Sequence, residues 1–336
     1  MKKIVIDEKT QNQRLDKFLR RYLPNAGTGF LYRMLREKKI KLNGKKSDGN
    51  AILHAGDELS IFFSDETLEK FMGEEATFTE VKISQKEGKS FASGILYEDE
   101  NLLILNKPAG MLSQRGEGKE PSACEYLLDY LRKKGSLSSE DEKIYKPSVV
   151  NRLDRNTSGL LVCAKNLPAA QLLSQMFKER SLKKEYRALV RGKILEKRDL
   201  TAFLKKDGSS NKVKVSSTSQ PGFEKIETAY EPLGYIDDDT LLNVDLKTGK
   251  THQIRAHLSQ TGHPLIGDPK YGDKEANRFY SEQYQLKRQF LHAYRLTFPK
   301  TEGILEGVSG KSFIAELPQE LERIERKIKY VIEETR

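Results

Sequence analysis

Two cysteines are all that 336 residues contain, and Cys124 and Cys163 lie far apart in no paired motif. This excludes a disulfide framework and a cysteine-rich zinc site. Both read as small buried hydrophobes of a chain kept in a reducing cytoplasm. Long apolar runs are missing too. None approaches the ~18 residues of a membrane span, and the first apolar stretch, Ile4 to Ile6, is too short for a signal peptide. No membrane partner is expected. No repeat of ~20–50 residues is visible. Apolar residues make up only 37%, yet 14 Phe and 14 Tyr supply bulk for a real core, so wholesale disorder is excluded. The length suits two domains, or one large domain with a small module. Lys and Arg exceed Asp and Glu by 59 to 49, and the resulting net +10 points to a polyanionic partner, nucleic acid before membrane.

The charge is unevenly spread. Residues 1–63 carry 14 basic against 7 acidic side chains, residues 64–93 carry 4 against 7, and the remainder is again basic. The boundaries suggest a small basic domain over 1–63, an acidic linker over 64–93 and a large domain over 94–336. In the first block, Leu15, Phe18, Leu19 and Tyr22 form one helical stripe, which Pro24 and Gly27 end. Phe30, Leu31, Met34 and Leu35 form a second. Ile40 to Leu42 reads as a strand entering an Asn43-Gly44 turn, and Leu59 to Phe63 as another. Arg20, Arg21, Arg33, Arg36, Lys38 and Lys39 lie on or beside the helices and are candidate phosphate contacts; a solvated helix face is the plainer alternative. The runs RLDKFLRRYL, FLYRMLREKKIKLNGKK and LHAGDELSI, in this order, resemble an S4 RNA-binding domain. That resemblance implies contact with structured RNA.

From residue 94 short strands dominate. GILYEDENLLILNKPAGMLS reads as two strands around a Glu98–Asn101 turn. VVNRLDRNTSGLLVCAKN reads as strand, polar loop (Asn151 to Gly159) and strand; AAQLLSQMFKERSLKKEYRALVRG as a helix and then a strand from about Lys184. LLNVDLKTGKTHQIRAHLSQTGHPLIGD reads as a strand, a tight turn at Gly249 and a helical segment. Leu321, Ile324, Ile328 and Ile332 predict a final helix from about Glu320 to Glu334, packed on the domain, and a monomer is expected. The fold class is α+β: a small helix–helix–strand unit, then a large mixed, mainly antiparallel sheet flanked by helices.

Two leads fail on spacing. Gly249-Lys250-Thr251 looks like the end of a phosphate-binding loop, but the required earlier glycine is Val244. His252, His257 and His263 are five and six apart with no Glu or Cys among them, so no metal site is expected and hydrogen-bonded structural roles fit better. Asp154 stands between Arg152 and Arg155 in a polar loop between two apolar strands. Such loops often carry catalytic groups, although an Asx turn or a surface ion pair would look the same.

Here the motifs converge. NRLDRNTSGLLVCAKN resembles the signature of the RluA family of pseudouridine synthases, KKEYRALVRG their second motif, and TGKTHQIRAHL with HPLIGDPKYG their third. NKPAGMLS and FLHAYRLTFP resemble the flanking strands. The resemblance implies isomerisation of uridine in RNA without a cofactor. Asp154 would be the catalytic aspartate, and Arg255 its partner. Tyr186 would lie against the uracil ring and is the candidate for handling its C5 proton. Arg152 would fill the gap left by the extruded base. The residue before that arginine is usually His in the family and is Asn151 here; Asn still donates and accepts a hydrogen bond. The N-terminal block looks most like that of members modifying 23S ribosomal RNA, met either as naked RNA or within a ribosome precursor. A tRNA substrate, a non-catalytic RNA-binding or ribosome-assembly protein, and a DNA glycosylase are the alternatives; a non-catalytic chain would be expected to lose Asp154, Tyr186 or Arg255.

Overall fold

The computed structural model describes residues 1–72, 83–116, 118, 120–207 and 212–331. An N-terminal unit has its own core. Helix Leu15–Tyr22 buries Leu15, Phe18, Leu19 and Tyr22, and helix Thr28–Arg36 buries Leu31, Met34 and Leu35. They pack with a three-stranded antiparallel sheet in the order Lys2–Val5, Glu58–Ile61, Ile40–Leu42. The strand Lys2–Val5 is not foreshadowed by the sequence, because only Ile4 of its four residues turns inward. The acidic stretch contains two helices. Asp65–Met72 sends Leu68 into the N-terminal core and sets Phe71 against Phe30, with ring centres 4.6 Å apart. Gln85–Ser93 sends Phe91 into the other core, 5.9 Å from the Tyr126 ring. Residues 73–82 of that stretch lie outside the described residues.

The large unit is mixed α/β, built on a twelve-stranded sheet. Its main path runs Val213–Ser216, Arg198–Lys206, Glu224–Ile236, Asp239–Leu246, Lys183–Val190, Leu291–Thr297, Ser158–Ala164, Leu102–Lys107, Ile95–Glu98. Every join on this path is antiparallel except Leu291–Thr297 with Ser158–Ala164, where His292 faces Ser158 and Ala293 faces Gly159. Ser158–Ala164 is buried at all seven positions and Leu102–Lys107 at all but one, as central strands covered on both faces must be. Helices Ala123–Lys133 and Leu167–Glu179 contribute Leu127, Leu131, Ala169 and Leu173 to the covering core. The first is started by a Ser122–Glu125 capping box and the second by Asn166, which accepts from the Ala169 amide.

The expected final helix is shorter than its apolar pattern. It spans Gln319–Glu325, and the chain then turns so that Lys329–Tyr330 pairs with Gly234 and Tyr235. Leu321, Ile324 and Ile328 share one core, so burial of Ile328 satisfies the pattern without a helix; Ile332 lies outside the described residues. The units touch directly: Arg21 Nη1 donates to the Ile144 carbonyl (2.8 Å), Gln171 Nε2 to that of Asn12 (2.9 Å), and the Leu167 amide to that of Lys9 (3.1 Å). Among the described residues no helix is long and apolar enough to cross a membrane.

Candidate active site

The loop carrying Asp154 joins Ser148–Val149 to Ser158–Ala164, and its backbone is pinned on both sides of the aspartate. On one side the Leu153 amide donates to Ser113 Oγ and the Leu153 carbonyl accepts from that hydroxyl group, each at 2.9 Å. On the other, the Arg155 carbonyl accepts from the Gly110 amide (2.8 Å) and from Lys107 Nζ (3.2 Å). Lys107 is fully buried and also donates to the carbonyls of Pro108 (2.9 Å) and Met111 (2.8 Å). Burial pushes its ammonium group down to about 7; the charge of Arg288 acts the same way and that of Asp154 opposes. Asn151 secures the entry, its Oδ1 accepting from the Val162 amide (2.7 Å) and its Nδ2 donating to the Leu160 carbonyl (3.3 Å). Here Asn both accepts and donates.

Neither flanking arginine holds Asp154. Arg155 turns away to Glu120 (2.6 Å) and the Gly110 carbonyl, and Arg152 is exposed without an ion pair among the described residues. Arg255, 101 residues on, reaches it: Nη1 donates to Asp154 Oδ2 at 2.8 Å. The rest of that guanidinium grips Asp268, Nε to Oδ2 at 2.7 Å and Nη2 to Oδ1 at 2.9 Å. Asp268 is fully buried, and burial alone would favour its neutral form. The Arg255 hydrogen bonds and the Lys270 and Tyr271 amides outweigh that and hold its carboxyl below the usual range. Arg255 is likewise opposed by burial, but Asp268 first and Asp154 second carry it further above its ordinary value. The fork on Asp268 therefore fixes the guanidinium plane and aims the remaining nitrogen at Asp154. Asp268 lies inside the HPLIGDPKYG segment, but no spacing rule singles out one acid there. Lys107 escapes a reading of the sequence because lysine is expected at the surface.

Asp154 remains about a quarter exposed, and its Oδ1 has no hydrogen-bond partner among the described residues. It lines a cavity of about 860 Å³, as do Asn151, Arg152, Phe177, Tyr186 and the Thr248–Thr251 turn. Tyr186 lies on the strand Lys183–Val190 where a bulge shifts the pairing between Glu185 and Tyr186, a device that re-aims a side chain. Burial pushes its hydroxyl well above the usual phenol range and the Asp154 charge adds to this, so the proton stays on. Gln253 folds the Thr248–Thr251 turn: its Oε1 accepts from Thr248 Oγ1 (2.8 Å) and the Lys250 amide (3.1 Å). The cavity is strongly basic. Among the described residues, seven of its lining side chains are Lys or Arg and one, Asp154, is a carboxylate. Arg180, Lys247 and Lys250 pair with Glu227, Asp245 and Glu224, whereas Arg115, Arg152, Lys178 and Lys184 have no ion pair among the described residues.

The six N-terminal candidates do not line this cavity. Arg20 is tied to Asp16 (3.0 Å) and Arg21 to the Ile144 carbonyl. Arg33 lies over the Phe30 ring at 5.5 Å, while Arg36, Lys38 and Lys39 are exposed. The three clustered histidines diverge: His252 bonds Tyr271, His257 bonds Thr228, and His263 donates to the Arg191 carbonyl.

A carboxylate with one oxygen held by an arginine and the other unpartnered, lining a basic cavity beside a protonated tyrosine, suits attack on a nucleoside. Comparison with known proteins gives the class. Residues 101–260 match the RNA pseudouridylate synthase family. A ribosomal large subunit pseudouridine synthase C from Vibrio vulnificus is 34% identical over 90% of each chain, and its Escherichia coli counterpart is 33% identical over 89% of this chain and 88% of that one. The chain belongs to the RNA pseudouridine synthases. In fold it is similar to human RNA pseudouridylate synthase domain containing 4, with a TM-score of 0.59 at 21% identity, covering 76% of this chain and 99% of the human one. The pseudouridine synthase sheet is thus the large mixed one described above, and Asp154, with the strand that follows it and the Arg255 helix, falls inside the matched segment.

Proposed function

We propose that this synthase converts uridines of large-subunit ribosomal RNA to pseudouridine, with Asp154 as the carboxylate that starts the reaction. The observation that carries the residue assignment is the asymmetry of Asp154, which lines the basic cavity: Oδ2 is held by Arg255, and Oδ1 has no hydrogen-bond partner among the described residues. The relatives named above carry the choice of ribosomal RNA. In the reaction the N1–C1′ bond breaks, the uracil turns, and C5 bonds to C1′; C5 loses a proton and N1 gains one, so the net change is an isomerisation. Attack on C1′, attack on C6 and removal of a sugar proton all require a charged carboxylate oxygen open to the substrate. Tyr186 offers a ring face on which the extruded uracil stacks, worth ~1–3 kcal/mol, and its hydroxyl is the candidate for handling the C5 proton, which it accepts only as its own proton passes on. Arg152, exposed at the cavity edge, is suited to filling the vacated stack. The N-terminal unit serves as an S4-like RNA-binding module, with Arg36, Lys38 and Lys39 as its open cations.

The test is carbodiimide-dependent reverse-transcription mapping of pseudouridine in total RNA. A strain lacking the gene is compared with strains rescued by wild type and by Asp154→Asn. Loss of particular large-subunit sites, restored by wild type alone, is expected. Losses confined to tRNA would overturn the substrate, and restoration by Asp154→Asn would overturn the residue assignment.

A further inference from the structure

His252 precedes helix Gln253–Gln260 with φ 52° and ψ 19°, the left-handed region that non-glycine residues enter at a steric cost. Such strain often marks a functional constraint. The backbone turn delivers a side chain only 9% exposed into the space beside Asp154. Its Nδ1 lies 3.1 Å from the Tyr271 hydroxyl, whose oxygen already accepts the Val213 amide proton at 2.9 Å. Among the described residues the Tyr271 hydroxyl proton has one acceptor, His252 Nδ1. Nδ1 is therefore the accepting nitrogen, and the ring proton sits on Nε2, which lies 3.9 Å from Asp154 Oδ2. Burial keeps the ring neutral; the Asp154 and Asp268 charges oppose that, and those of Arg255 and Lys270 support it.

We propose that His252 is a positioning residue, whose Nε2–H is the second donor to Oδ2 of Asp154. With Arg255 it holds that oxygen and leaves Oδ1 as the one that meets the substrate. The separation of 3.9 Å exceeds a hydrogen bond, and bonds of this kind often tighten only once substrate is bound. The inference rests on the assignment of Asp154 as the reacting carboxylate. It goes beyond that assignment by naming the tautomer, the oxygen and the relay from Tyr271.

The relay makes a ranking of variants. His252→Gln can place an amide N–H where Nε2 sits. His252→Asn can only replace Nδ1, although it suits the left-handed backbone better. Single-turnover conversion and dissociation constants would be measured on full-length large-subunit rRNA transcript, with Asp154→Asn as control. Expected are a ~10–100-fold slower step for His252→Ala, a smaller loss for His252→Gln, and no recovery for His252→Asn, with RNA affinity within about twofold throughout. Tyr271→Phe removes the proton that sets the tautomer, together with the acceptor of the Val213 amide, and is expected to slow the same step several-fold. His252→Asn outperforming His252→Gln, or an unchanged rate in Tyr271→Phe, would overturn the relay while Asp154→Asn stays inactive. An active Asp154→Asn would instead bring down the assignment beneath it.

Discussion

One guanidinium between two carboxylates decides the residue-scale argument. Arg255 commits its fork to Asp268, which is fully buried, and one nitrogen to Asp154, which is partly open. Arg255→Leu would leave the Asp268 charge buried and unpaired, at a cost on the order of 3–5 kcal/mol. Arg255→Lys separates stability from geometry, because one ammonium keeps the charge but cannot bridge both acids in the same plane. We expect Arg255→Lys to fold, to bind RNA near normally and to lose ~100-fold or more in single-turnover rate, by analogy with other orienting partners at the upper end of their effects. Rates close to wild type would show that charge near Asp154 suffices and its orientation does not matter. At this scale the sequence carried Asp154, Tyr186 and Arg255 through motif strings, and the structure brings Asp154 and Arg255 within 2.8 Å. Lys107, Ser113 and Asp268 act by pinning backbone or a guanidinium, and such work has no signature in periodicity or spacing.

The site depends on elements meeting at one line across the sheet. Gly159, Ala293 and Tyr186 are consecutive neighbours on three strands, and this is where the parallel join and the bulge coincide. Gly159 has φ +112°, and a Cβ there would stand 2.2 Å from the Ala293 carbonyl oxygen. Strand Leu291–Thr297 would have to move, and Tyr186 with it. Gly110, in the turn that bonds Arg155, also has positive φ (+88°) but open space around it. Gly110→Ala should therefore cost only ~1 kcal/mol from conformation. Gly159→Ala should cost ~3 kcal/mol or more from strain and displacement, read as the difference in urea unfolding free energy. Equal costs would show that the sheet yields easily at this join. Strands with long apolar runs, such as Ser158–Ala164, were legible because burial on both faces leaves its pattern in composition. The strand Lys2–Val5 was not, having one inward residue, and the chain end misled because Ile328 keeps helical spacing while lying past the helix, just before the strand Lys329–Tyr330.

For the whole molecule, charge makes stability depend on pH and, on the function proposed above, sets RNA affinity. His257 and His292 are buried and pushed down to about 4, by burial in both; for His292 the charges of Arg288 and Arg187 push further and its bond to the Ala315 carbonyl opposes. Above about 6.5 neither folded nor unfolded chain protonates them, so they contribute no pH dependence. As pH falls from about 6.5 towards 4, the unfolded chain takes protons that the folded one refuses. Stability should then drop by up to ~1.4 kcal/mol per pH unit for each histidine and level off below about 4. Urea unfolding from pH 7.5 to 4 measures this, and a slope unchanged by His257→Gln would exclude that residue as a source. On the reading proposed above, RNA affinity would draw on two basic surfaces, the cavity and the exposed Arg36, Lys38 and Lys39 of the N-terminal unit. Each cation withdrawn from a phosphate should lower the slope of log affinity against log salt by ~0.7–0.9. A chain with Arg36→Ala, Lys38→Ala and Lys39→Ala together should bind rRNA more weakly at 50 mM salt and show a slope shallower by ~2–3, whereas Arg152→Ala should change the slope by about 1 or less. If the triple variant kept the full slope, these cations would be solvated surface and the cavity alone would carry the electrostatic grip on RNA.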